Sequence, residues 1–469
     1  MTSSTTRPTA RPLDRSIVDG PLTRAVWMLA WPMMLQNFIN GLQPMVDHVL
    51  VGRLVGYAGN AAIGVATQVF IVVIVFVISV FSGMGVLVSR AAGANDSELV
   101  NRTVYQAFLA AVALWGFVLA PLGWVLAPAL LGVVHAAPDV RAQALPFLRI
   151  SFVGSLGTLC FYMVSGALRA AGDARTPLRL GVLLTILNVA CNIAFITGLG
   201  PLPRLGTAGA AVGTTIAGLV SSGFAIYLLF SGSLPVLWHR GMSWRPDWRI
   251  IRALFRFGLP TGVQGIAMNI AGVWLLRFIG SLALSGQAQA AYAVGYGELF
   301  SFITFTSIGL MQAAATVAGQ NLGAQKPERS IQGVHVAAGL GLGLAATIGV
   351  LFLTIPRALL GLFGMTDPVV VALGTQLLGF LSVSGLFVSV ALTYTGGLQG
   401  TGDTRSPLYI SIISQGVVPL GLCALWQATR GLHPSDIWTA ILCGHITRCG
   451  LSVLRFRQGK WRTIRVEVG

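Results

Sequence analysis

Long apolar stretches alternate with short polar breaks along nearly the whole chain. Broken at glycines, prolines and charge clusters, the pattern predicts twelve helical spans. They fall at 27–50, 61–88, 103–127, 145–168, 179–199 and 207–231, then at 257–280, 289–318, 333–355, 372–397, 408–428 and 437–456. A helix needs roughly 20 apolar residues to cross the hydrocarbon core of a bilayer, and runs such as 65–88 and 335–355 are long enough. The expected fold class is an all-α polytopic membrane protein with twelve transmembrane helices.

The second half of the chain repeats the first. GALRAAGDARTPL (166–178) matches GGLQGTGDTRSPL (396–408), with Gly, Leu, Gly, Asp, Arg, Pro and Leu in register. LAWPMMLQ (29–36) aligns on FGLPTGVQ (257–264) at nearly the same offset. The twelve spans therefore form two pseudo-symmetric six-helix bundles. Each copy holds an even number of spans, so the repeat is parallel, an arrangement of transporters that bind substrate between or within the halves and alternate access. The expected limits are a disordered cytoplasmic tail at 1–24, an N-terminal lobe at 25–231 and a cytoplasmic linker at 232–255. A C-terminal lobe at 256–457 and a cytoplasmic tail at 458–469 complete the chain. Within each GD-x-R motif, a Gly–Asp turn ends one span, the Arg sits at the lipid headgroups, and the Pro starts the next helix.

Composition sharpens this picture. Hydrophobic residues make up 55% and charged residues only 9%, where soluble domains carry about 25% charged. The formal net charge of +16 does not point to nucleic acid, because the basic residues gather on alternate loops without an aromatic-interleaved patch. Arg7, Arg11, Arg15 and Arg24 precede the first span, and Arg240, Arg245, Arg249, Arg252 and Arg256 crowd the linker. Arg455, Arg457, Lys460, Arg462 and Arg465 close the chain. This is the positive-inside pattern of a multi-pass inner-membrane protein, with both termini cytoplasmic. Trp238, Trp244 and Trp248 among the linker arginines suggest a segment lying on the membrane face, in contact with lipid. The five cysteines lie in apolar stretches without metal-ligand spacing and read as packing residues.

Of fourteen acidic residues, only Asp47 and Glu298 fall inside predicted spans. An ionisable group at membrane depth costs on the order of 3 kcal/mol even on the lenient insertion scale, which makes each a functional candidate. Gln36, Asn40, Gln43 and Asp47 follow steps of four, three and four, so they form one narrow polar face that lines a cavity or a helix contact. Pro32 begins this stripe and removes a backbone hydrogen bond, offering a bend. The matching positions of the seventh span, Gln264, Met268, Ala271 and Leu275, have lost the stripe, so the N-terminal lobe is expected to handle the cation. Thr185, Asn188 and Asn192 share a face of the fifth span, and Thr214 lies on the sixth. Their oxygens suit a proton site beside a carboxylate, or Na⁺, and equally suit hydrogen bonds between helices. Glu298 is either a coupling group or a paired structural carboxylate. Arg277 and Arg448 read as snorkelling residues, and His48 and His445 as hydrogen-bonded structural imidazoles. No catalytic constellation, phosphate loop, CxxC or HExxH is present, so the chain is not read as an enzyme. No cofactor is expected beyond a coupling ion from a gradient.

At these residues the chain resembles the multidrug and toxic-compound extrusion (MATE) family, in its DinF-like bacterial branch. The resemblance rests on LAWPMMLQN, MVDHVLVGRL (45–54), GQNLGA (319–324) and both GD-x-R-x-P motifs. It implies the MATE fold of two six-helix bundles in a monomer. It also implies export of amphiphilic, often cationic, small molecules in exchange for H⁺ or Na⁺. Asp47 falls on the family's first-helix acidic residue, Pro32 on the proline of a bending helix, and Asn188 and Thr214 on polar members of the cation site. Asn192 departs from the Asp of many relatives, which makes Na⁺ coordination less secure; H⁺ is the first reading of the coupling ion and Na⁺ the second. Glu298 matches an acidic position common in the branch. The alternative reading is a flippase for a lipid-linked oligosaccharide or lipid precursor.

Overall fold

The computed structural model describes residues 12–133, 137–239, 241–243, 245–464 and 466. Arg7, Arg11, Arg240, Trp244 and Arg465 lie outside them. Twelve long helices follow one another, with no strand among the described residues. They are α1 (Leu22–Leu54), α2 (Tyr57–Gly93), α3 (Ser97–Val133), α4 (Pro138–Ala170), α5 (Arg175–Thr197) and α6 (Thr207–Ser231). After the linker come α7 (Trp248–Gly280), α8 (Ser285–Gly323), α9 (Pro327–Thr354), α10 (Pro368–Gly400), α11 (Arg405–Thr429) and α12 (Pro434–Arg457). Eleven are long and apolar enough to cross a membrane. The remaining one is α1, 33 residues long, whose apolarity is diluted by Gln36, Asn37, Asn40, Gln43, Asp47 and His48.

The helices gather into two compact units, Ile39–Leu259 and Ser16–Phe38 with residues 260–464. The first turns of α1 thus belong to the second unit and the first turns of α7 to the first. Bare backbone allows each of these packings. On α2, a side chain at Gly83 would strike the Leu254 carbonyl and come within 2.8 Å of the Gly258 nitrogen of α7. On α8, one at Gly309 would come within 2.5 Å of the Met34 nitrogen of α1. Helices this close gain dispersion contact without a hydrophobic driving force, as packing in lipid requires. Pro32 is buried beside this contact, and helix continues through it.

The GD-x-R motifs fold alike. Gly172 and Gly402 take left-handed φ angles of 101° and 97°, which an L side chain resists. Asp173 then accepts from the backbone nitrogens of Arg175 and Thr176, both at 3.0 Å, and from the Thr176 hydroxyl. Asp403 accepts from the Ser406 nitrogen and hydroxyl and pairs with Arg455 at 2.8 Å. Each carboxylate caps the helix that follows.

Two expectations need correction. The stretch expected as a disordered tail is ordered from residue 12 onward, with a helical turn at Ser16–Asp19 and α1 beginning at Leu22. Ile17 and Val18 are 1% and 2% exposed, so apolar burial offsets the entropy of ordering a short segment. The GQNLGA region holds it: Asn321 donates to the Ile17 carbonyl, Arg329 to the Gly20 carbonyl, and Lys326 pairs with Asp19 at 2.7 Å. The linker is not wholly spread on a membrane face, because Trp238 is buried against Tyr105, Phe108 and Phe230. The C-terminal segment also docks, with Trp461 buried and stacked on Phe456.

Candidate functional site

The first unit brings four of the singled-out residues into one hydrogen-bonded chain. Asp47 stands on the half of α1 that belongs to this unit. From α5, the Asn192 amide nitrogen donates to the Asp47 carboxylate at 2.9 Å and to the Asn188 side-chain oxygen at 3.2 Å. The Asn188 amide in turn donates to the Thr214 hydroxyl of α6 at 2.8 Å. The step of four between Asn188 and Asn192 is what stacks the two amides one turn apart. Both asparagines are fully buried. Asn192 donates to the carboxylate, and the remaining donors run outward from Asn192 to Asn188 and from Asn188 to Thr214, so Asp47 serves only as an acceptor, which suits its ionised form.

One atom of this network is unmatched. The Asn192 side-chain oxygen is buried and has no hydrogen-bond partner, and a buried acceptor left this way forfeits about 1–3 kcal/mol. It lies against α6 at Gly213, where an added side chain would strike that oxygen and come within 2.7 Å of the Asn192 nitrogen and 2.8 Å of the Cys191 carbonyl carbon. Gly213 therefore sets the approach of α6 to α5 and delivers Thr214 to Asn188. Nothing in the sequence pattern marks Gly213 out from the chain's many other glycines.

A cavity of about 210 Å³ opens on Asp47. Asn40, Gln43, His48, Thr67, Tyr162 and Thr214 supply its polar wall, with Ile63 and Phe147 on the apolar side. It is smaller than the roughly 300–1,000 Å³ of pockets that hold drug-sized ligands, and has room for a few waters or an ion at about 30 Å³ per water. His48 is hydrogen-bonded through Nδ1 to the Asn60 side-chain oxygen at 2.5 Å, as expected for a structural imidazole. Neither Thr67 nor Tyr162 stands out in the sequence, since each is one hydroxyl in an apolar helix.

Other expected members lie elsewhere. Gln36 belongs to the same stripe on α1 but is 3% exposed within the second unit, and it is not part of this cavity wall. The Thr185 hydroxyl bonds back to the Gly181 carbonyl of its own helix. Glu298 sits in the second unit, exposed, within a π-helical segment of α8 at Ala293–Leu299. Among the described residues its carboxylate makes no hydrogen bond or ion pair, and it is not joined to the Asp47 network. Arg448 does not snorkel: it is 5% exposed and buried in the second unit. His445 is buried too, and its Nδ1 lacks the partner expected of it. No group of three His, Cys, Asp or Glu capable of holding a metal occurs among the described residues.

Known proteins share this architecture. The MatE family model matches residues 32–194 and 260–425, one match in each half of the chain. The probable multidrug resistance protein NorM of Thermotoga maritima is 27% identical over 436 residues, covering 92% of both chains. The protein of the same name from Deinococcus radiodurans is 29% identical over 446 residues, covering 92% of this chain and 94% of its own. Among solved structures, the outward-facing conformation of a multidrug resistance MATE family transporter superposes with a TM-score of 0.87 at 21% identity. That alignment covers 97% of this chain and 100% of the other, and shows a common fold. With both halves of the chain matched by the family model and its twelve-helix fold shared, the protein belongs to the MatE family of multidrug and toxic-compound extrusion transporters.

Proposed function

We propose that the protein is a secondary antiporter that exports amphiphilic or cationic small molecules in exchange for protons, with Asp47 as the coupling carboxylate. In this reading it works as a monomer in a bacterial inner membrane, both termini cytoplasmic, by alternating access. The observation that carries it is a single carboxylate at a small polar cavity, held by an amide whose oxygen is buried and unmatched.

Proton exchange gives that unmatched oxygen a use. Ionised Asp47 accepts the Asn192 N–H, whereas protonated Asp47 becomes a donor. Turning the Asn192 amide over presents its oxygen to the new O–H and withdraws the N–H from Asn188. Protonation thereby rearranges the chain as far as Thr214 on α6. Asp47 also lies on a helix whose other end, with Pro32, belongs to the second unit, so a change at the carboxylate is felt along α1. A helix with two arrangements biased by proton and substrate is sufficient for exchange.

Sodium is the weaker candidate. Na⁺ needs a shell of oxygen ligands, and here one carboxylate faces an amide nitrogen. Nor does the cavity favour a flippase, since among the described residues no Lys or Arg lines its wall to hold a pyrophosphate. Purified protein in liposomes containing a fluorescent cation, given a pH gradient or a Na⁺ gradient separately, tests the reading. Movement driven by the pH gradient alone supports it, and movement driven only by Na⁺ refutes it.

A further inference from the structure

The second unit buries a cation without a counter-charge. Arg448, near the middle of α12, is 5% exposed. Its Nε is buried without a hydrogen-bond partner, and among the described residues it forms no ion pair. The unit's carboxylates are engaged elsewhere. Asp19 pairs with Lys326, Glu328 with Arg462, Asp403 with Arg455 and Asp436 with Arg430. Asp367 caps α10, and Glu298 is exposed. A guanidinium offers five N–H donors and no acceptor, and it keeps its charge. Left alone in a low-dielectric interior it is strongly unfavourable, so buried charges are paired.

The surroundings add donors. One turn before Arg448 on the same face is His445, 3% exposed, its Nδ1 unpartnered. The Tyr296 ring stacks on His445 at 6.4 Å and on Tyr292 at 5.0 Å, and Tyr292 stacks on Trp438 at 6.2 Å. The indole N–H of Trp438, on the same face of α12, is a further buried donor without a partner. Gly444, one turn before Arg448, reaches the backbone of Ser414, whose hydroxyl is also unmatched. Tyr296 and Ser414 both lie in π-helical segments, Ala293–Leu299 of α8 and Ile412–Val417 of α11. Such distortions of a helix are frequent at functional sites.

We propose that Arg448, His445 and Tyr296, with the Trp438 indole alongside, form an anion site in the second unit that takes one small monovalent anion, a halide or a carboxylate. Size follows from packing, since Arg448, His445 and Trp438 are all nearly or fully enclosed and leave no place for a bulky polyanion. The site is separate from Asp47 in chemistry and in unit, and its test is read by binding, so the proposal stands whichever ion drives transport.

The test compares purified full-length protein in chloride, bromide, acetate and the bulky anion gluconate. Thermal unfolding should shift upward saturably in the small anions relative to gluconate, as ligand binding to the folded state requires. The shift should vanish in Arg448→Met. Response to acetate as well as halide would mark a carboxylate site, and response to halide alone an inorganic one. Crystals grown in bromide supply a reading that needs no variant, with anomalous density expected within hydrogen-bonding reach of the Arg448 guanidinium. Iodide should also quench a component of the tryptophan fluorescence that Trp438→Phe removes. If Arg448→Met does not fold, the bromide density and the Trp438→Phe comparison decide. A shift that persists in Arg448→Met, or crystals without bromide at Arg448, would overturn the proposal.

Discussion

The contact between α5 and α6 makes a sharp prediction at Gly213. A methyl group there would come within 2.7 Å of the Asn192 nitrogen and 2.8 Å of the Cys191 carbonyl carbon, where ordinary contact begins near 3.4 Å. Those atoms are backbone and cannot swing aside, so α6 must back away by about 0.7 Å, which lies beyond the slack of a close-packed interior. The hydrogen bond from Asn188 to Thr214, now 2.8 Å, then stretches to about 3.5 Å, past the useful range. Overpacking of this kind costs about 1–3 kcal/mol, and the loosened hydrogen bond adds about 1 kcal/mol. Gly213→Ala should therefore lower the unfolding temperature and slow proton-driven export together. Gly223→Ala on the same helix is the control, because the space beside it is open and neither quantity should change. The assays are heat denaturation of purified protein and export from liposomes. Gly213→Ala with the stability and transport of the Gly223→Ala control would refute the close-contact argument.

Three further outcomes follow from the same geometry. Pro32→Ala restores a backbone donor to α1 beside the Met34–Gly309 contact. Export should fall while expression stays near normal, and undiminished export would show that flexure at Pro32 is incidental. Asn192→Asp puts a second carboxylate at 2.9 Å from the first. Two like charges that close favour sharing a proton or binding a cation, so export should become more dependent on pH or newly sensitive to Na⁺, and an unchanged ion dependence would contradict the placement. Asn321→Ala removes the donor to the Ile17 carbonyl, so protease cleavage between residues 12 and 21 should accelerate severalfold. An unchanged cleavage rate would mean that the GQNLGA region does not hold this segment.

Much of the fold is legible in the chain because membrane helices announce themselves by uninterrupted apolarity. The sixth span coincides with Thr207–Ser231. The others begin three to nine residues earlier than expected, at polar ends where hydropathy falls but helical hydrogen bonding continues, and the fifth and ninth stop short at Thr197 and Thr354. The Asp47 network is legible for the complementary reason. Polar groups at helical spacing in an apolar background have to meet something, and Asn188, Asn192 and Thr214 do. What periodicity does not carry is the identity of the neighbouring helix. Gln36 shares the face of Asn40, yet α1 passes from one unit to the other between Phe38 and Ile39, which takes Gln36 away from the cavity. Arg448 illustrates the same gap. Its distance from the span end suited snorkelling, and only the packing of α12 shows its guanidinium turned inward. Ile17 and Val18 are two apolar residues in a polar stretch, too few to signal order until Asn321, Lys326 and Arg329 come alongside. The π-helical segments leave no trace in the hydrophobic pattern, and Gly213 gains meaning only from the atoms that face it.

The account stands or falls on the charge of Asp47. Asp47→Asn keeps the size of the side chain and its capacity to accept from Asn192, and removes the group that takes up and releases a proton. The direct measurement is export from liposomes driven by an imposed pH gradient, in parallel with substrate binding at equilibrium. The account predicts that Asp47→Asn folds, inserts and binds an uncharged substrate, yet exports nothing when the gradient is applied. Export by Asp47→Asn at the rate of the unaltered protein would contradict it, and Glu298 would then be the carboxylate left to test.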